Sequence, residues 1–445
     1  MEYIVNTPCG AVRGAEAADG IVAYKGIRYA TAGRFEYPTE VTEWEGVLDA
    51  TRYGACCYQP RSFYDEEKNE KKFFYYNEFR RGESYEYSED CLFLNIFTPN
   101  TKGEKLPVIV YIHGGGFTGG CGHEKHFDAP VWPRHGVIGV TLNYRLGPLG
   151  FMVLPELRDE AGKCGNYGLY DQLCAIKWIK HNIAAFGGDP DNITIMGQSA
   201  GAMSVQQHCL SPLTKGLFNR AVMCSGGGVT KMLAAKPAEA SYPFWQMIME
   251  KCGAKTLDEL RAVPVETLYS VWQENKKATM GGGSTPCIDG ELIVGAGHEL
   301  LAKGAQHSIP YMIGTTSQDM LPPILYSMAR TWCKKQSSPA YLWYFERSLP
   351  GDNHGAWHSA DLWYWFGTLD KSWRPFEKAD RELSEEMVKR LCAFASGTAP
   401  TPDGYPEWNS GGERAMIFGD KDSVMGKPSG LKMWVTMFTN KAPGE

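Results

Sequence analysis

The pentapeptide Gly197-Gln198-Ser199-Ala200-Gly201 directly follows the apolar run Ile193–Met196 and opens a stretch able to start a helix. A serine on so tight a strand-to-helix turn has its hydroxyl aimed away from the sheet, and its neighbours must be nearly free of side chain for the backbones to approach. The N-terminus of the following helix favours negative charge developing beside it. This is a setting for a nucleophilic alcohol. A second glycine run, His113-Gly114-Gly115-Gly116-Phe117, follows the apolar stretch Val108–Ile112. Consecutive glycines allow the N–H groups of Gly115 and Gly116 to converge on one point, where the N–H of Ala200 can join them. Three such donors suit the oxyanion of a tetrahedral intermediate. A phosphate-binding reading of these glycines lacks its Lys-Ser/Thr, and a dinucleotide reading lacks its βαβ surroundings.

The elements that must hold these residues are legible as apolar runs. Val108–Ile112, Val137–Leu142, Ile193–Met196, Ala221–Cys224, Tyr311–Ile313 and Tyr341–Phe345 have the length of buried strands and no polar alternation, which implies a sheet covered on both faces. Leu169, Leu173, Ile176, Ile179, Ile183 and Phe186 recur at steps of three and four, as do Leu383, Met387, Leu391 and Phe394, the spacing of amphipathic helices. Strands alternating with helices predict a mostly parallel, doubly wound α/β sheet. Residues 3–5 and 11–13 flank a turn and read as a small hairpin. Without an internal repeat or a linker, residues 1–445 are expected to form a single domain.

Composition narrows the partners. Lys and Arg number 45 against 51 Asp and Glu, a net charge of −6 without a basic run, so neither nucleic acid nor an anionic membrane is an expected partner. The first residues lack a basic start and an apolar stretch, and no 18-residue apolar run occurs elsewhere, so a cytoplasmic protein is expected. The thirteen cysteines are odd in number and scattered, with no CxxC pair. That spacing predicts buried thiols, with neither a metal site nor a dense disulfide framework.

The serine and glycine motifs do not stand alone. Together with Glu89-Asp90-Cys91-Leu92-Phe93-Leu94-Asn95, the stretch NYRLGPLGF from Asn143 to Phe151, NYGLYDQ from Asn166 to Gln172, and Phe186-Gly187-Gly188-Asp189-Pro190, they resemble the type B carboxylesterase and cholinesterase family in order and spacing. The resemblance implies an α/β-hydrolase fold, a mostly parallel central sheet flanked by helices. It also implies hydrolysis of small-molecule carboxylic esters through an acyl-enzyme, without a cofactor. It places the acid in the glycine-led loop Gly314-Thr315-Thr316-Ser317-Gln318-Asp319 and the histidine in Gly355-Ala356-Trp357-His358-Ser359-Ala360-Asp361-Leu362, giving a triad of Ser199, Asp319 and His358. Asp319 stands where the family usually has Glu.

The order of serine, acid and histidine along the chain agrees with that assignment. Beyond His208, His298 and His307 precede Asp319 and break the order, which leaves His354 as the competitor of His358. Asp361 competes with Asp319, although three residues from the histidine is a poor position from which to grip its Nδ1. By the same resemblance Ser225 hydrogen-bonds the acid, Arg145 with Asp171 and Arg34 with Glu89 form structural ion pairs, and Cys57 and Cys91 match a loop-closing disulfide. Without an export signal those two are expected to be reduced.

Only 39 residues separate Asp319 from His358, far fewer than the family spends there, so a reduced cap region and an open site are expected. Phe117, Trp132, Trp357, Trp363 and Trp365 lie near the motifs and could line an apolar pocket. Arg61 to Asp90 matches the loop at the mouth of the family's active-site gorge and is longer here. Its aromatics follow no clean period, and Phe73, Phe74, Tyr75 or Tyr76 could lie over the entrance, with Arg80 or Arg81 free for an anionic group. Aryl or short-chain esters are the expected substrates. The alternatives are a catalytically silent binding relative and an amide or thioester hydrolase using the same triad; no feature of the sequence bears on oligomeric state.

Overall fold

The computed structural model describes residues 3–18, 20–99, 105–128 and 130–439. Its centre is a 13-stranded sheet. Twelve of these strands form a continuous path: β1 (Tyr3–Thr7), β2 (Gly10–Ala18), β3 (Ile21–Arg28), β4 (Phe93–Pro99), β5 (Leu106–Ile112), β6 (Ile138–Leu142), β7 (Gly188–Gln198), β8 (Arg220–Cys224), β9 (Tyr311–Thr316), β10 (Ala340–Phe345), β11 (Ala415–Phe418) and β12 (Val424–Gly426). The spatial order is β1-β2-β3-β4-β6-β5-β7-β8-β9-β10-β11-β12, with Val47–Asp49 pairing beside β2. From β6 to β11 every pairing is parallel, whereas the first strands and β12 pair antiparallel. Apart from Val137, which immediately precedes β6, the six apolar runs read from the sequence fall within β5 to β10.

Alternate residues of the same strand enter opposite cores, which is why these runs are apolar throughout. Val108, Val110 and Ile112 join one cluster with Leu169, Leu173 and Ile176, while Ile109 and Tyr111 join another with Met387, Leu391 and Phe394. Among the helices that cover the sheet and wall the site are α1 (Glu70–Phe79), α2 (Tyr167–Asn182), α3 (Ala200–Leu210), α4 (Leu362–Phe366) and α5 (Lys378–Ala395). Helices α2 and α3 cover the first face, and α4 and α5 the second. Each buried Leu, Met or Phe on them contributes about 1.5–3 kcal/mol by leaving water. Between Asp319 and His358 lie only the helix Pro322–Lys334 and β10.

The segment 61–90 departs from the sequence reading, because α1 is a regular helix. Its inward face carries Tyr75, Glu78 and Phe79, spaced by three and four. Phe79 is buried against His126 at 3.8 Å between ring centroids. Glu78 is buried as well, paired with Arg374 at 2.7 Å. A charged residue on the inward face interrupts the apolar period that would have announced the helix. Among the described residues no helix is long and apolar enough to cross a membrane.

Candidate active site

The carboxyl ends of the parallel strands carry Ser199, the glycines Gly115 and Gly116, and Asp319. Ser199 directly follows β7 with φ 55° and ψ −123°, a strained conformation for a non-glycine residue. Hydrogen bonds hold it there: its N–H donates to Cys224 O at 2.9 Å and its carbonyl accepts from Met203 N at 3.0 Å. A Cβ on Gly201 would stand 2.0 Å from Ile112 O, and one on Gly226 would stand 2.2 Å from Ser199 O. Glycine at these two positions lets the turn sit against the ends of β5 and β8.

Gly115 and Gly116 leave β5 with φ 106° and 64°, open to glycine and strained for other residues. Together with Gly114 and Ser199 they line one cavity. Among the described residues, the N–H groups of Gly115, Gly116 and Ala200 donate to no protein acceptor. Ala200 supplies the first N–H of α3, where the helix has no acceptor of its own to offer.

Asp319 and His358 meet directly, with His358 Nδ1 at 2.5 Å from Asp319 Oδ1. Oδ1 also accepts from Met320 N at 2.8 Å, and Oδ2 accepts from Thr315 Oγ1 at 2.6 Å and Thr316 Oγ1 at 3.2 Å. Burial alone would push this carboxyl up; the His358 charge and bond, with the hydroxyls of Ser225 and Thr315, outweigh it and hold Asp319 at about 2. His358 moves the other way. Burial opposes its charge, yet Asp319 and then Asp361 raise it above the ordinary imidazole value. At the far side of the ring, the Gln198 amide lies 3.2 Å from Nε2. A neutral imidazole there accepts from Gln198 and donates Nδ1–H to Asp319. Gln318 ties the two loops together, donating N–H to Ala356 O at 3.0 Å and accepting from Ala356 N at 2.6 Å.

The competitors lie elsewhere. His354 packs on Phe74 and faces Asp352 at 3.2 Å. Asp361 is buried and accepts from Trp365 Nε1 at 3.2 Å, and burial first, then Asp319, pushes it up to about 7. Ser225 is buried beside Asp319 and helps hold its carboxyl down, although its Oγ makes no bond within ordinary hydrogen-bond limits. The short hydroxyl bonds to the acid come from Thr315 and Thr316, four and three residues before it, a local side-chain pattern that could have been sought in the sequence. Arg145 pairs with Asp171 at 2.7 Å, and Arg34 Nε donates to Glu89 at 2.8 Å. Cys57 and Cys91 are buried free thiols.

The cavity over Ser199 has a volume of about 590 Å³ and is lined by Tyr75, Phe79, Phe127, Met320 and Leu362 together with Arg61, Lys72 and Lys276. Most of the expected pocket aromatics are not there. Trp132, Trp357, Trp363 and Trp365 are wholly buried in the core on one face of the sheet, with Trp132 Nε1 donating to Trp365 O at 2.8 Å. Phe117 packs on Phe151 at 5.0 Å. Phe74 is spent against Trp357 at 5.1 Å, and Phe73 is 40% exposed away from the cavity. Tyr75 lines it. Arg80 is not free for a ligand, since it is buried in bonds to Glu66 at 2.6 and 2.7 Å and to Glu124 at 2.8 Å. Arg81 bonds Asn77 at 3.1 Å on the exposed side.

A strained serine between strand and helix, a glycine loop on the neighbouring strand and an acid–histidine pair at the same sheet edge define an α/β-hydrolase. The chain belongs to the carboxylesterase family, whose model matches residues 1–331. It is similar to the para-nitrobenzyl esterase of Bacillus subtilis, 39% identical over 325 residues that cover 71% of this chain and 63% of the relative. It is also similar to an acetylcholinesterase of Leptinotarsa decemlineata, 32% identical over 377 residues, 76% of this chain and 57% of the relative. The chain thus spans about six-tenths of the length of these curated relatives. Among solved structures, a PNB esterase superposes with a TM-score of 0.83 at 28% identity, covering 98% of this chain and 100% of the other. An esterase from the anaerobe Clostridium hathewayi, described as able to hydrolyse aliphatic aromatic polyesters, gives 0.82 at 26%, covering 99% and 98%. His358 lies beyond the residues the family model matches, so its place in the site rests on the geometry.

Proposed function

We propose that the chain is a serine carboxyl-ester hydrolase working through an acyl-enzyme on small aromatic or short-chain esters. Ser199 Oγ attacks the ester carbonyl while His358 Nε2 takes its proton, exchanging the Gln198 contact for one to the serine. The carbonyl oxygen becomes an oxyanion held by the N–H groups of Gly115, Gly116 and Ala200. Asp319 keeps the proton on Nδ1 and stabilises the imidazolium. Collapse breaks the bond to the leaving alkoxide, which takes the proton from Nε2. Water then attacks the acyl-serine by the same route in reverse, releasing the acid and restoring Ser199.

The observation that carries this reading is the 2.5 Å contact between His358 and Asp319, with His358, Ser199 and the oxyanion glycines on one cavity. The aromatic preference is supported by Tyr75, Phe79 and Phe127 on its walls and by the esters named for the relatives. We also read residues 1–445 as one hydrolase domain, supported by the continuous sheet, and the thirteen thiols as fitting a reducing, cytoplasmic setting. An ester panel from acetyl to octanoyl p-nitrophenyl esters plus methyl hydroxycinnamates, run on wild type and Ser199→Ala, tests the function. Turnover of short and aryl esters that vanishes in the variant supports it. Activity confined to amides or thioesters, or none in wild type, contradicts it.

A further inference from the structure

Three soft donors that take no part in the proposed reaction converge beside the oxyanion loop. Cys56 sits on the short strand Cys56–Cys57, while Cys121 and His123 stand two apart on the turn after Gly119-Gly120. Their ligand atoms all lie within 4.8 Å of one another. Cys56 Sγ and His123 Nε2 are 3.6 Å apart. The His123 ring is fixed by stacking on Tyr53 at 4.4 Å and by Tyr85 at 5.4 Å, which leaves Nε2 facing the thiols. Cys56 is 0% exposed, Cys121 3% and His123 9%.

We propose that Cys56, Cys121 and His123 form a three-ligand binding site for a thiophilic divalent ion, zinc in the first instance. Zinc takes thiolate sulfur at about 2.3 Å and imidazole nitrogen at about 2.0–2.1 Å in a tetrahedral array. Those lengths put sulfur and nitrogen about 3.6 Å apart and two sulfurs about 3.8 Å apart. The Cys56–His123 spacing already matches, and the remaining separations close with side-chain shifts of about an ångström. Two sulfurs and a nitrogen exclude magnesium and calcium, which require oxygen ligands. The neighbouring carboxylate Glu124 is engaged by Arg61 at 2.6 Å and Arg80 at 2.8 Å, so the fourth position falls to water. A surface cavity of about 630 Å³, bordered by Tyr53, Tyr85 and His123, brings solvent to the ring.

Binding converts two thiols to thiolates and releases two protons, so a doubly charged ion leaves the buried site without net charge. The ion joins segments that Gln59 already bridges, its amide donating to Gly120 O at 3.1 Å and accepting from Gly120 N at 3.0 Å. It therefore braces the root of the 61–90 segment against the loop carrying Gly115 and Gly116. Sequence spacing hid the site because Cys56 comes from a distant segment and no CxxC pair is involved.

The test uses the full chain, purified reduced from zinc-supplemented medium and dialysed against metal-free buffer. Elemental analysis is expected to find about one zinc per chain, and Co²⁺ added to the stripped protein to give a thiolate-to-cobalt charge-transfer band with the intense visible bands of a tetrahedral site. Cys121→Ser and His123→Asn each weaken Co²⁺ binding by about tenfold or more, whereas Cys252→Ser, at a half-buried thiol elsewhere, leaves it unchanged. Zinc raises the Tm of wild type and not that of Cys121→Ser. The proposal is overturned by substoichiometric metal in wild type, by an octahedral cobalt spectrum, by retention of metal in a folded Cys121→Ser, or by a Cys56–Cys121 disulfide in protein that binds no metal once reduced.

Discussion

Asn at position 319 keeps the shape of the acid and removes its charge, which separates the two things Asp319 does for His358. The carboxylate oxygens accept from His358, Met320, Thr315 and Thr316, and an amide offers one acceptor and one N–H₂ in their place. If the amide nitrogen turns toward His358, Nδ1 must become an acceptor and Nε2 carries the proton, so the base cannot take one from Ser199. That orientation costs about 10⁴ in kcat. If the nitrogen turns toward the threonines, whose hydroxyls can rotate to accept, the tautomer survives and only the charge is lost. Holding the carboxyl at about 2 rather than near 4 corresponds to about 2.5 kcal/mol of preference for the anion beside His358. The loss is then roughly 60-fold. Asp319→Asn is expected to lower kcat on p-nitrophenyl acetate between these bounds. The depressed carboxyl also stabilises the fold above its ordinary value, an effect lost as pH falls through about 4 to about 2. Because Asp319 also raises His358, the Tm advantage of wild type over the variant should be largest near pH 5 and close as pH falls through about 4 to about 2. Activity within fivefold of wild type, or a gap that fails to close below about pH 4, would refute the reasoning.

Asp361, pushed up to about 7 by burial and then Asp319, raises His358 when ionised. The rising limb of kcat/KM against pH should lie above the ordinary imidazole value of about 6.5, and Asp361→Asn should move it down; a midpoint that stays or rises excludes this coupling. Glu78→Gln leaves Arg374 buried with Asp352 as its remaining carboxylate, and urea unfolding should report about 3 kcal/mol lost; a change under about 1 kcal/mol would show the pair to be dispensable. Tyr75→Ala should raise KM for aryl esters several-fold while kcat on p-nitrophenyl acetate stays within twofold; equal effects on both substrates would remove α1 from substrate binding. Excising residues 66–80 is a poorer probe, because it unpairs Arg374 and removes Phe79 from the core.

The strands and the serine and glycine motifs were legible because each is fixed by local chemistry, whereas Asp319 and His358 came from the family resemblance and the chain order. A strand buried on both faces is apolar at every position, as Val108–Ile112 shows, and a serine elbow needs its glycines at fixed offsets. The helix α1 was not legible, because Glu78 is inward-facing and its partner Arg374 is distant in sequence. The tryptophans misled for the opposite reason. Trp132, Trp357, Trp363 and Trp365 lie next to the motifs along the chain, but the sheet turns them to its far core, and proximity in sequence says nothing of which face a side chain enters. The threonines on Asp319 sit at local offsets that a side-chain pattern search could have met, whereas the amide of Gln198 on His358 joins segments 160 residues apart and depends on loop geometry.

The most direct test is to quench turnover of p-nitrophenyl acetate in acid within the first cycles and map the acetylated peptide by tandem mass spectrometry. The account predicts one acetyl group per chain, carried on Ser199 and absent from Ser199→Ala. Acetyl on another residue, or full turnover by Ser199→Ala, would contradict it.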